Sequence, residues 1–153
     1  MQHVVPVGEL ADYIGRDLGT SDWVLIDQER VNAFADATLD HQFIHVDSEK
    51  AKQTPWGSTI AHGFLTLSLL PHLLSSTGIQ PEGTVMAINY GTDKVRFLEM
   101  VKIPGEVRAR VSLAEVVEKG PGRYLLKSNV TVEIKGADKP ALVAEMLALF
   151  VVA

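Results

Sequence analysis

A chain of 153 residues, 46% hydrophobic and 22% charged, has the length and the composition of one globular core and not of a disordered, collagen-like or coiled-coil chain. It has no cysteine, which excludes disulfide frameworks, thiolate metal sites and thiol nucleophiles and suits a reducing compartment. The formal net charge is −5 and the 14 Lys and Arg are scattered, so no basic patch is offered to nucleic acid. Met1–Leu10 lacks a basic start followed by an apolar run, and no apolar stretch reaches bilayer length, so the expectation is a soluble cytoplasmic protein without a membrane partner.

In chain order, a short strand is expected around Trp23–Ile26. The run from Asp27 to Thr38 then places Val31, Phe34, Ala35 and Thr38 on one helical face, with Asp27 as N-cap and Glu29 in the first turn. Residues 39–46 read as polar and irregular. A second, shorter helix starts at Asp47, and Thr54–Ser58 is a loop by its Pro and Gly. Residues 60–76, IAHGFLTLSLLPHLLSS, have no continuous polar face, which predicts a core helix, and Pro71 should bend it or end its first half.

Beyond this helix the period changes from 3.6 to 2. A strand is expected from Val85 through Phe97. Val107, Ala109, Val111 and Leu113 alternate with polar residues, as do Tyr124, Leu126, Val130, Val132 and Ile134. Gly120-Pro121-Gly122 and Lys135–Asp138 are turns, and residues 141–152 are apolar on both faces except at Glu145, as a central strand would be. One buried helix covered by about five antiparallel strands is an α+β arrangement of the hot-dog kind, one domain over residues 1–153. Open sheet edges predict a homodimer.

Chemistry-bearing residues gather in one region. Asp36, Asp40, His41, His45 and Asp47 fall within twelve positions, and His62 follows. A carboxylate and an imidazole five positions apart, Asp40 and His45, can converge on one small molecule as acid and base if the chain turns between them. Ala61-His62-Gly63 opens the buried helix, where unpaired amides and a glycine allow close approach of an oxygen that gains negative charge. Taken alone, His41 reads as loop-stabilising, Ser68 as bonded to its own preceding turn, Asn89-Tyr90-Gly91 as a strand bulge, and Lys94 and Arg96 as solvated charges.

The runs Asp40–Asp47 (DHQFIHVD) and Gly57–Phe64 (GSTIAHGF) resemble the hydratase 2 motif of MaoC-like (R)-specific enoyl-CoA hydratases, and most closely their nodulation-protein-N-like branch. Residues 88–97 (INYGTDKVRF) are similar to that branch as well. The resemblance implies a reversible hydratase/dehydratase acting on an enoyl or 3-hydroxyacyl thioester, with coenzyme A as part of the substrate and no separate cofactor or metal. It implies that Asp40 and His45 hold one water for syn addition, one group taking its proton while the other supplies a proton to C2. By the same likeness Gly63 donates its amide to the thioester oxygen and Ser68 orients the active site. From their own positions, His62 either donates a hydrogen bond into the site or bonds nearby backbone at the helix start, and Asn89 is a candidate for lining the acyl pocket. Many family members carry Gly-Asp-x-Asn-Pro-x-His, whereas Leu39 precedes Asp40 here and the Asn-Pro turn is absent.

Other classes keep parts of this pattern. A hot-dog thioesterase would release free carrier thiol. A metal hydrolase would draw ligands from Asp40, His41, His45, Asp47 and His62. A non-catalytic module would bind acyl thioesters without turnover.

Overall fold

The computed structural model describes residues 2–153. Short strands β1 (His3–Val5), β2 (Asp17–Thr20) and β3 (Val24–Ile26) precede helix α1 (Gln28–Thr38), with a 3-10 helix over Val7–Tyr13 between β1 and β2. Two single-turn helices follow, α2 (Phe43–Val46) and α3 (Ser48–Ala51), and then α4 (Gly63–Ser68) and α5 (Leu70–Thr77). The rest of the chain is strand: β4 (Ile79–Pro81), β5 (Thr84–Phe97), β6 (Gly105–Gly120), β7 (Arg123–Ile134) and β8 (Leu142–Val152).

The main sheet has the order β2-β6-β7-β8-β5, with β3 also pairing β6, and every pairing in it is antiparallel. This is the expected hot-dog sheet with one strand more than expected. A separate parallel pair, β1 with β4, was not anticipated; three-residue strands carry no readable period.

The alternation in β6 is realised residue by residue: Val107, Ala109, Val111 and Leu113 are all buried against the helices. Leu126, Val130 and Val132 of β7 and Leu142, Ala144 and Met146 of β8 complete that wall, and Leu65, Leu69, Leu70 and Leu73 face it from α4 and α5. Each of these large side chains contributes about 1.5 to 3 kcal/mol on leaving water, so the apolar face of the helix is held to the sheet along its whole length.

The core helix is not one uniform rod. It breaks at Leu69, between α4 and α5, and Pro71 falls in the first turn of α5, where its missing N–H costs nothing. Nor is it buried on all sides, since Phe64 is 66% exposed. Asp27 caps α1 by accepting from the Arg30 amide at 2.9 Å, and Asp47 caps α3 through the Lys50 amide at 3.0 Å. The segment 39–46 is less irregular than its composition suggested, because α2 forms within it.

Candidate active site

Helix α1 ends at Leu39, which takes the left-handed conformation with φ 64°, and this turn delivers Asp40 to the surface. A residue with a Cβ is strained there, which accounts for the glycine common at the equivalent position of related motifs. The next turn, α2, carries His45 inward, where only 7% of the residue is exposed.

Two long-range contacts set the His45 ring. Its Nδ1 lies 2.7 Å from the carbonyl oxygen of Ile60, which can only accept, so Nδ1 carries the hydrogen and Nε2 keeps a bare lone pair. The backbone is braced as well: the Gln28 side chain donates to the His45 carbonyl at 2.7 Å and accepts from Thr59 Oγ1 at 2.6 Å. Burial pushes the His45 imidazole below its ordinary pKa, and His62 acts in the same direction, while the Ile60 hydrogen bond and the Asp40 charge oppose them.

His62, the residue before α4, is 3% exposed and stacks on His45 with ring centroids 3.8 Å apart and planes 21° from parallel. Its Nε2 donates to the backbone carbonyl of Asp40 at 2.9 Å. One nitrogen or oxygen from each of Asp40, His45 and His62 lies within 4.8 Å of the others. Distance alone would suit a cation, but the ring directions do not. Imidazole lone pairs lie in the ring plane, and two nearly parallel rings 3.8 Å apart cannot both aim theirs at one ion. Moreover, His45 Nδ1 and His62 Nε2 already donate to carbonyl oxygens. His41 pairs with Asp36 at 2.8 Å on the surface and Asp47 caps α3, so neither joins the cluster.

Gly63 and Phe64 occupy the first positions of α4, whose amides a helix leaves without an internal partner. A Cβ on Gly63 would stand 2.9 Å from the ring of Phe97, so the absence of a side chain is what lets Phe97 cover the glycine. Ser68 closes α4 with its hydroxyl donating to the Phe64 carbonyl at 2.7 Å, the local bond its helical position suggests. Ser68 and Asn89 do not bond the Asp40/His45 cluster; with Leu67, Pro71, Gly91, Thr92 and Met146 they line a cavity of about 270 Å³ between helix and sheet. A second cavity of about 290 Å³ shares Pro71, Asn89 and Met146 with it and runs on past Leu74 and Ala148. A register shift between Asn89 and Gly91 is the bulge read from the sequence. Lys94 pairs with Glu145 at 3.0 Å and Arg96 bonds its neighbour's carbonyl, which leaves Lys94 a strand ion pair.

Gln28, Thr59 and Ile60 were not singled out from the sequence. Their only local signal is polarity or hydrophobicity at ordinary positions; they act on segments 15 to 31 residues away.

The chain is 50% identical over 145 residues, 95% of each chain, to a Mycobacterium tuberculosis protein named 3-hydroxyacyl-thioester dehydratase Z. It is 43% identical over 148 residues, 96% of this chain and 92% of the other, to nodulation protein N of Rhizobium leguminosarum. Among solved structures, an unliganded R-hydratase from Pseudomonas aeruginosa superposes with a TM-score of 0.73 at 22% identity, covering 98% of this chain and 88% of that one, which shows the shared fold. Residues 9–136 match the family described as MaoC like domain, and the chain belongs to that family.

Proposed function

We propose that this chain is a hydro-lyase, a 3-hydroxyacyl-thioester dehydratase that also runs in the hydrating direction, with Asp40 and His45 as its catalytic residues. The observation that carries this reading is the buried His45 ring, whose Nδ1–H is held by Ile60 and which shares with Asp40 and His62 a cluster whose ligand atoms lie within 4.8 Å of one another. A water hydrogen-bonded to both groups bridges atoms about 4.6 Å apart, a span that the 4.8 Å cluster accommodates.

In hydration His45 Nε2 takes one proton of that water while its oxygen bonds to C3 of the enoyl chain. Electrons move to the thioester oxygen, which the Gly63 amide stabilises. The imidazolium then returns its proton to C2 from the same face, and H and OH have added syn. The Asp40 carboxylate accepts the other O–H of the water and steadies the transient imidazolium. Dehydration is the same path reversed.

The acyl chain extends from Gly63 along α4. Ser68 lies five residues on, about 7.5 Å along the axis, so the cavity that Ser68 and Asn89 line receives the chain beyond its reacting carbons. Coenzyme A is the carrier, and the 3R alcohol is the product.

The chain works in the cytoplasm as a homodimer of single hot-dog domains. Among the described residues β5 pairs only with β8, and Val85, Met86, Ile88 and Tyr90 on it are 44% to 59% exposed, so a second copy has an open, apolar edge to join. No helix of the described residues is long and apolar enough to cross a membrane.

The test is loss of conjugated enoyl-thioester absorbance when purified protein meets trans-2-enoyl-CoA of short and medium length, with chiral analysis of the product. Rapid loss yielding the 3R alcohol is expected. Release of free thiol would make the protein a thioesterase, and tight binding without turnover would make it a binding module.

A further inference from the structure

We propose that His62 is a positioning residue for the Asp40/His45 pair: its Nε2–H anchors the Asp40 backbone, and its ring lies on His45 and fixes the position of that imidazole. The proposal rests on the dehydratase reading above and adds a residue to which that reading gives no proton-transfer role.

Three observations converge on it. First, the segment that presents Asp40 is otherwise held from the surface, where His41 pairs with Asp36 at 2.8 Å. Leu39 is strained at φ 64°, and the Asp40 carboxylate receives only a long 3.3 Å contact from the Gln42 amide. The 2.9 Å bond from His62 Nε2 to the Asp40 carbonyl ties this turn to the start of α4, where the Gly63 amide stands. Acid-base group and oxyanion donor are thereby set relative to one another by one side chain.

Second, the ring itself is immobilised. It stacks on His45 at 3.8 Å, and Phe34 of α1 tilts against it at 4.9 Å and 57°.

Third, His62 Nδ1 is buried and has no hydrogen-bond partner among the described residues. A buried polar atom without a partner is uncommon and carries a cost. With Nε2–H given to the Asp40 carbonyl and Nδ1 left without a partner, the ring is held in place by that one bond and by its neighbours' faces. Of the charged groups near the pair, the Asp40 carboxylate stands nearest and favours a positive charge on His45. Gln28 and Phe34 of α1 are neutral, Asp36 and His41 pair with each other at the surface, and Asp47 caps α3. Glu99 lines the small cavity over Gly63, and the Asp40 carboxylate, 4.0 Å from His62 Nε2, is half-exposed and committed to the water.

Two variants separate the anchor from the stack. His62→Phe keeps an aromatic ring on His45 but loses the donor; kcat should fall about 30- to 100-fold, as expected when a catalytic group shifts by about an ångström, with KM changed less than about threefold. His62→Gln keeps an amide N–H for the Asp40 carbonyl and should recover about tenfold of that loss. Both remove His62, one of the influences that hold the His45 pKa down, so the His45 titration midpoint, followed by NMR of 15N-histidine-labelled protein without substrate, should rise. The acidic limb of kcat/KM should move with it. Equal losses of kcat in the two variants, or a His45 midpoint that does not move in either, would overturn the proposal. If the wild-type protein fails to turn over any enoyl thioester, the dehydratase reading falls, and the NMR titration still decides whether His62 governs His45.

Discussion

Ile60 clamps His45 from two sides: its amide donates to the Ile44 carbonyl at 3.0 Å while its carbonyl receives the His45 Nδ1–H at 2.7 Å. The imidazole is thus fixed in one tautomer by a residue on a different segment, which leaves Nε2 free for the proposed role of base. Replacing His45 with Gln should lower kcat by about 10² to 10⁴, the usual contribution of a positioned general base. Asp40→Asn should fall in the same range while binding of the thioester persists. Enoyl-thioester absorbance and a direct binding measurement check the pair together.

The lowered pKa of His45 has a definite sign in both rate and stability. The base is lost on protonation, so the acidic limb of kcat/KM should lie below the ordinary imidazole value of about 6.5. In the unfolded chain His45 binds a proton more readily than in the fold. Its stability contribution is therefore complete above about pH 6.5 and declines as pH falls from there toward the lower folded value. Urea titrations at several pH values should show that decline in the wild type and a shallower one in His45→Gln.

Gly63→Ala sets two effects against each other. Alanine gains up to about 1 kcal/mol of helix propensity over glycine, whereas its Cβ would meet the Phe97 ring at 2.9 Å and displace it. Phe97 is 44% exposed and can swing away, so the net stability change should stay within about 1 kcal/mol. Turnover should suffer more, about tenfold in kcat/KM, because the cover over the oxyanion donor has moved. Adding Phe97→Leu should restore most of it. Thermal melts and steady-state kinetics on both variants test this.

Leu39 holds a left-handed turn while 81% exposed, so its strain is not offset by burial. Leu39→Gly should raise stability by about 0.5 to 1 kcal/mol, relief of the strain exceeding the entropy cost of glycine in the unfolded chain. A denaturation midpoint that drops instead would mean that the Leu39 side chain makes a contact worth more than the strain.

If β5 is the dimer edge, a charge placed on it should separate the subunits. Tyr90→Lys combined with Ile88→Lys should convert a dimer to a monomer by light scattering, because edge lysines oppose strand pairing. A dimer that survives both substitutions would move the interface elsewhere.

Much of this protein follows from local pattern. The Asp27 cap and the helix start at Asp47 were legible because a carboxylate three residues before an amide satisfies a helix start within one turn of chain. The inward face of β6 was legible because period-2 alternation needs no knowledge of the partner strand, and the Asp40/His45 spacing marked the candidate site. Tertiary structure alone decided that Ile60 takes the His45 hydrogen, that Gln28 braces the same turn, and that His62 bonds the Asp40 backbone. It likewise decided the β1/β4 pairing and the extra strand of the sheet. The reason is physical: each of these bonds joins groups 15 or more residues apart, and almost any backbone carbonyl can serve as such a partner. Which one does is settled only when packing brings the segments together.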